Sequence, residues 1–345
     1  MCEEAVAYWQ FVRYQSGAKR VSLEAIQSQQ GYRSLCEREP SIPLFSQAWW
    51  LDAVAGPAFW DAVLALRGKE VVGALPYVRK RRWGMTLLTQ PKLTQTLGPW
   101  VRLTQDKCTK APRVEDVLGA LADGLPEFAA YRQNWDVART NWLPFCWRGF
   151  EQTTRYTYVL PDICDPDAVW QGVKKDIRGN VRKASNRFGV QVRFSDDIGE
   201  LLPVLRKTFD RQGKQFPFAE EFLYRIDRAA SKQGKRAIVL GEDGEGWLHA
   251  GTYIVWEGNT AYQLLNGYDP ELRQSGAGSL CVWTAIQKAA EHVSRYDFEG
   301  SMIEPVERFF RAFGAIQTPY FQVQRIDSRV LRLAQIGRSL VRASR

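Results

Sequence analysis

Apolar residues at Val169, Val173, Ile177, Val181 and Ala184 recur at intervals of four, four, four and three. That spacing keeps one face of an α-helix buried. Asp165 and Pro166 supply its start signals, an N-cap and a first-turn proline, and Gly189 supplies the stop. The other faces carry Lys174, Lys175, Arg178, Arg182, Lys183 and Arg187. Further helices are expected over 198–212, 219–232, 279–292 and 304–313. Where the pattern shifts to alternation or short apolar runs, strands are expected: 190–194, 236–240, 249–255, 260–266, 295–299 and 318–326.

The first part of the chain gives a shorter version of the same order. Ser46 is placed to cap a helix through Trp49, Trp50, Leu51 and Val54, which Gly56 and Pro57 end. A hairpin is expected over 62–66 and 71–79, then a strand at 85–89, a loop at 90–100, a helix over 114–131 and strands at 135–140 and 155–160. Residues 22–26 suggest a short helix. The expected plan is an N-terminal extension (1–40), one unit over 41–161, a second over 162–327 and a C-terminal helix (328–345). The fold class is α/β (α+β), with a mostly antiparallel mixed sheet and helices on both faces.

Lys and Arg outnumber Asp and Glu by 47 to 38, a formal net charge of +9. A basic surface favours polyanions: a phosphate-rich cosubstrate, tRNA or an anionic membrane. The six cysteines form no CxxC pair, and His249 and His292 are the only histidines. Neither a metal site nor a histidine-based triad is expected. The start, Met1-Cys2-Glu3-Glu4, is acidic where a signal peptide is basic, and no apolar run approaches the ~18 residues of a membrane span. A cytoplasmic protein is expected. Residues 328–345 combine Val330, Leu333, Ile336, Leu340 and Val341 with five arginines. Such a helix either packs on its own domain or lies peripherally on the inner face of an anionic membrane.

The chemistry concentrates at Arg273-Gln274-Ser275-Gly276-Ala277-Gly278-Ser279, after a strand and at the opening of a helix. Glycines allow a tight turn whose N–H groups, backed by a helix N-terminus, suit a phosphate. Arg273 adds a charge-assisted contact. Alone, such a turn is also a common helix entry. In context it resembles the pyrophosphate loop Arg/Gln-x-x-Gly-x-Gly/Ala of GNAT acyltransferases. Other markers are Trp49-Trp50-Leu51-Asp52, Leu97-Gly98-Pro99-Trp100, Arg182-Lys183-Ala184, Tyr296-Asp297-Phe298-Glu299-Gly300-Ser301 and Phe309-Phe310-Arg311-Ala312-Phe313-Gly314-Ala315. Together they resemble double-GNAT proteins: the Fem-type peptidoglycan bridge-forming aminoacyltransferases and, more closely, acetyltransferase-like proteins of cell-envelope polysaccharide or secondary metabolism.

That resemblance implies an acyl-coenzyme A donor, acetyl-CoA or another, held by residues 273–279. Its pantetheine arm would enter between the strands at 260–266 and 295–299. Fem-type enzymes use aminoacyl-tRNA and typically lack a clean pyrophosphate loop, so the loop here favours the thioester. In the first unit Pro99 stands where an amide donor is wanted; that unit is expected to be non-catalytic and free to shape the acceptor site.

Acyl transfer to an amine requires a base, an oxyanion donor and a leaving thiolate. Alternation along 295–299 puts Asp297 and Glu299 on one face. Glu299 is the first choice as base or amine anchor and Asp297 the second; an ion pair with Arg295 or Arg308 is the alternative. Tyr268 and Ser301 are candidates to protonate the leaving sulfur or orient the substrate. Gln263, Asn266, Arg178, Arg182 and Lys183 are candidate substrate contacts, the cations suiting a phosphate-bearing acceptor or a tRNA acceptor stem. The expected function is acyl transfer to a small-molecule, sugar or peptide amine. A tRNA-dependent aminoacyltransferase and a non-catalytic scaffold are the alternatives.

Overall fold

Residues 23–102, 112–300 and 302–334 are described by the computed structural model. The first repeat runs β1 (Glu24–Gln27), α1 (Gln29–Arg38), α2 (Ala48–Ala55), β2 (Trp60–Arg67), β3 (Glu70–Arg82), β4 (Met85–Thr89), β5 (Trp100–Val101), α3 (Val114–Asp123), β6 (Ala130–Asn134), α4 (Leu143–Cys146) and β7 (Glu151–Leu160). Two helices connect the repeats, α5 (Pro166–Gly172) and α6 (Lys175–Phe188). The second repeat runs β8 (Gln191–Ser195), α7 (Leu202–Asp210), α8 (Glu220–Lys232), β9 (Arg236–Glu242), β10 (Leu248–Glu257), β11 (Thr260–Tyr268), α9 (Ala277–Ala290), β12 (Arg295–Asp297), α10 (Glu304–Arg311) and β13 (Ile316–Ile326).

One continuous sheet takes the strands in the order β1-β2-β3-β4-β6-β13-β7-β12-β11-β10-β9-β8, with β5 paired to β3 off this path. The order is symmetric about the β13–β7 pair. Each repeat has an antiparallel meander followed by one parallel pair, β4 with β6 and β11 with β12. The final strands are exchanged. β7 pairs with β12 of the second repeat, and β13 pairs with β6 of the first. The helices α2 and α8, equivalent in the two repeats, pack on each other. There Leu44, Phe45 and Trp50 share a buried cluster with Leu223, Tyr253 and Tyr262. On the opposite face α6 and α9 bury Ile177, Val181, Ala184, Cys281 and Ile286 against the second repeat's strands.

Several elements depart from the sequence reading. Residues 24–27 form a strand, not a helix, because β2 offers them an edge from Leu66 to Val63. With α1, which buries Tyr32 and Leu35, they place residues 24–38 inside the first repeat, where a polar extension was expected. The helix expected over 114–131 stops at Asp123, since Gly124 and Pro126 follow, and β6 takes 130–134. The strand expected at 135–140 is a loop. The helix after Asp165 breaks at Val173, whose backbone is extended, and the Lys174 N–H donates to Ala312 O. Asp165 caps as expected, accepting from the N–H groups of Asp167 and Ala168. Ser46 lies one residue before the cap of α2, which is Gln47. Of the C-terminal helix, residues 329–334 are described, with Val330 and Leu333 exposed; the remainder lies outside the described residues.

Candidate active site

The parallel pair β11–β12 is short. Thr260, Ala261 and Tyr262 pair with Arg295, Tyr296 and Asp297, and there β12 ends while β11 runs on to Tyr268. The next residue, Phe298, donates its N–H to Tyr158 O on β7. Glu299 and Gly300 then take left-handed conformations, φ 59° and 58°. A Cβ on Gly300 would stand 2.3 Å from Tyr156 O, so only glycine lets the chain turn so close to β7. The two strands thus part beyond Tyr262. On its other side, β11 has an irregularity where it pairs with β10: Tyr253 pairs with Leu265 and Ile254 with Gln263, leaving Leu264 between them as a bulge.

The strand expected at 295–299 is therefore cut to three residues, and the alternation argument does not carry to Glu299. Asp297 and Glu299 are nevertheless neighbours: the Glu299 N–H donates to Asp297 Oδ1 at 2.7 Å. The same oxygen accepts from the Thr157 hydroxyl on β7 and from the Gln95 side-chain amide at 3.3 Å. All three donors converge on Oδ1, and no described residue donates to Oδ2. Asp297 lines a cavity of about 260 Å³ between the repeats, together with Gln95, Asp136, Thr260, Tyr262 and Arg295. Burial pushes its carboxyl up to about 6, against the lowering effect of its three donors and of Arg295. Glu299 is raised further, well above the usual carboxylate range, by burial and then by the charge of Asp297; its Oε1 is buried without a partner. The ion-pair alternative is absent among the described residues: Arg308 pairs with Glu304, and Arg295 pairs with no acid.

The loop at 273–279 has the expected place between β11 and α9. Arg273–Ser275 form a 3-10 turn and Gly276 caps α9 at φ 83°. A Cβ on Gly276 would lie 2.5 Å from Asn180 O of α6, so the glycine is fixed by conformation and by close helix packing together. The amides are less available than the sequence suggested. Ser275 N–H bonds Leu272 O, Gly276 N–H bonds Arg273 O, Ala277 N–H bonds Ser275 Oγ and Ser279 N–H bonds Gly276 O. Ser275, Ala277 and Ser279 point inward, buried. Arg273 and Gln274 are exposed, and nothing lies within 4 Å of a Cβ built on Gly278. The surface open to a phosphate is thus Arg273, Gln274 and the backbone at Gly278.

The other candidate residues fall in different places. Tyr268 ends β11 at the open side of the strand parting; its N–H bonds Thr208 Oγ1, and Arg211 sits over its ring. Gln263 is buried on the opposite face from Asp297, where it accepts from the Tyr296 hydroxyl at 2.9 Å. Asn266 accepts from the Thr252 hydroxyl. Arg178, Arg182 and Lys183 lie on α6, which packs on the 273–275 turn. Ser301 lies outside the described residues. Sequence reasoning missed Gln95, Thr157, Asp136 and Tyr320. Tyr320 is a buried residue of β13 and feels the charges of both Asp297 and Glu299. These come from loops and strands far away in sequence, and nothing local marks them.

No group of His, Cys, Asp and Glu among the described residues is arranged to hold a metal, and no helix among them is long and apolar enough to cross a membrane. Residues 171–311 match the model of the acetyltransferase (GNAT) domain. No curated protein matches the chain in sequence. Among solved structures it is similar to FemX (15% identity, TM-score 0.66, covering 89% of this chain and 98% of that one). It is also similar to a tandem GNAT protein from the clavulanic acid biosynthesis pathway (12%, TM-score 0.50, 88% and 98%). A conserved protein of unknown function from Bacteroides thetaiotaomicron gives 11% identity and a TM-score of 0.53 over 84% of this chain and 92% of that one. The family model thus places a GNAT acetyltransferase domain over residues 171–311, in the second repeat, and the chain as a whole shares the fold of these structures.

Proposed function

We propose that the protein moves an acyl group, acetyl in the simplest case, from a coenzyme A thioester to an amine held between the two repeats. The observation that carries this reading is Asp297: a buried carboxylate at the last residue of β12, beside a cavity, with one oxygen fixed by three donors and the other meeting no donor among the described residues. Its carboxyl, pushed up to about 6, is ionised at neutral pH yet basic enough to take a proton from an ammonium. The freed amine then attacks the thioester carbonyl, the C–S bond breaks, and the sulfur leaves with a proton. The backbone of β11 beyond Tyr262, where β12 no longer pairs with it, is the stretch that offers N–H groups to the developing oxyanion. Glu299, whose carboxyl burial and Asp297 raise well above its usual range, serves as an acid or hydrogen-bond donor in place of the base. Arg273, Gln274 and the Gly278 backbone hold the donor's phosphates, and Tyr268 flanks its arm.

Calorimetry with acetyl-CoA, followed by thiol-release assays on a panel of amines, tests the reading. Binding with amine-dependent thiol release is expected. No heat at millimolar acetyl-CoA overturns it.

A second reading, with an aminoacyl-tRNA donor, draws on Arg178, Arg182 and Lys183, which have no ion pair among the described residues and lie on the helix that packs against the loop. Binding of charged tRNA that weakens steeply with salt would favour it.

A further inference from the structure

The cavity between the repeats holds a cation that the acyl transfer proposed above does not use. Arg295 opens β12 and lines the cavity two residues before Asp297. It has no ion pair among the described residues, and its Nε is buried without a hydrogen-bond partner. A buried guanidinium N–H left without an acceptor is unfavourable, and the planar fork matches carboxylate or phosphate oxygens. Arg139 repeats the pattern. Its Nε is also buried and unpartnered, in an adjoining cavity of about 490 Å³ that shares Thr96, Asp136 and Ala138 with the first. The nearby carboxylates make no hydrogen bond or ion pair to either arginine among the described residues: Asp136 accepts from the Ala138 N–H, Glu257 pairs with Lys235, and Asp297 acts on Arg295 only through its charge.

We infer that the acyl acceptor is an amine that also carries an anionic oxygen group, a carboxylate or a phosphate, which Arg295 binds while the amine meets Asp297. Arg139 lies along the same path, on the side of the first repeat. The inference rests on the reading of Asp297 as the acceptor-side base, and it narrows the acceptor from amines in general to anionic amines.

The test uses the full chain with saturating acetyl-CoA and acceptors matched in pairs: ornithine against putrescine, and glucosamine 6-phosphate against glucosamine. The anionic member of at least one pair is expected to exceed its neutral partner in kcat/KM by about tenfold or more. The pair that responds distinguishes carboxylate from phosphate. Arg295→Gln should raise the KM for the anionic acceptor by a similar factor and leave the KM for acetyl-CoA unchanged, with Arg295→Lys recovering part of the loss. Calorimetry of the same acceptors without donor gives a readout independent of turnover, with binding expected for wild type and lost in Arg295→Gln. Equal use of both members of each pair, indifference to Arg295→Gln, or no binding of any anionic amine overturns the inference. Failure to bind acetyl-CoA brings down the acyl-transfer reading instead and leaves the acceptor calorimetry to stand.

Discussion

The side-chain amide of Gln95 donates to the carboxylate of Asp297 at 3.3 Å across 202 residues of sequence. A loop of the first repeat thereby helps set the charge state of an acid in the second. Gln95→Leu removes a donor that lowers the Asp297 pKa. The acid limb of kcat/KM, expected near pH 6 in the wild type, should move up by about half a unit to one unit. A pH–rate profile with the limb in its original place would show that Asp297 is not the titrating base.

Asp297→Asn separates activity from stability. Without the base, kcat is expected to fall ~10²–10⁴-fold. Because burial raises the folded-state pKa, the contribution of Asp297 to stability is fully present below its unfolded value near pH 4 and is lost as pH rises through about 6. The asparagine escapes that loss. Denaturant titration should find the variant more stable than wild type by on the order of 2 kcal/mol at pH 8, and no more stable at pH 3.5.

Glu299→Gln should behave differently. Burial and the neighbouring Asp297 raise the Glu299 carboxyl well above its usual range, and the amide is close to isosteric with a protonated carboxyl. A kcat within about threefold of wild type at pH 7 is expected. A collapse as deep as that of Asp297→Asn would move the role of base to Glu299.

Gly276→Ala forces a left-handed conformation and sets a methyl group 2.5 Å from Asn180 O. A loss of about 1–3 kcal/mol is expected in thermal or chemical unfolding, with weaker acetyl-CoA binding in calorimetry at a temperature where the variant remains folded. Unchanged donor affinity in a folded variant would separate the loop from the donor site.

Much of the fold could be read in the second repeat, where Asp165 and Gly189 bracket the helical stretch, alternation marks β8, and the turns at 242–246 and 256–259 separate β9, β10 and β11. The reading failed where tertiary partners override local pattern. Residues 24–27 become a strand only because β2 presents an edge, and Val173 breaks a well-spaced helix because Lys174 N–H finds Ala312 O. Missing the Gly124 and Pro126 signals displaced β6. At the site, Asp297 and the loop at 273–279 stood out for their residue types. The donors on Asp297 did not, since Gln95 and Thr157 carry no local signal, and Glu299 follows a left-handed turn that alternation does not foresee.

The exchange of β7 and β13 has a consequence for how the polypeptide is made. The partner that β6 needs on its inner edge is residues 316–326, which leave the ribosome long after the rest of the first repeat. Until then that nascent half waits with an open edge, exposed to wrong pairings. Synthesising either half alone should therefore give a sticky, incomplete sheet, whereas supplying both halves as separate chains in one cell offers each the strand it lacks.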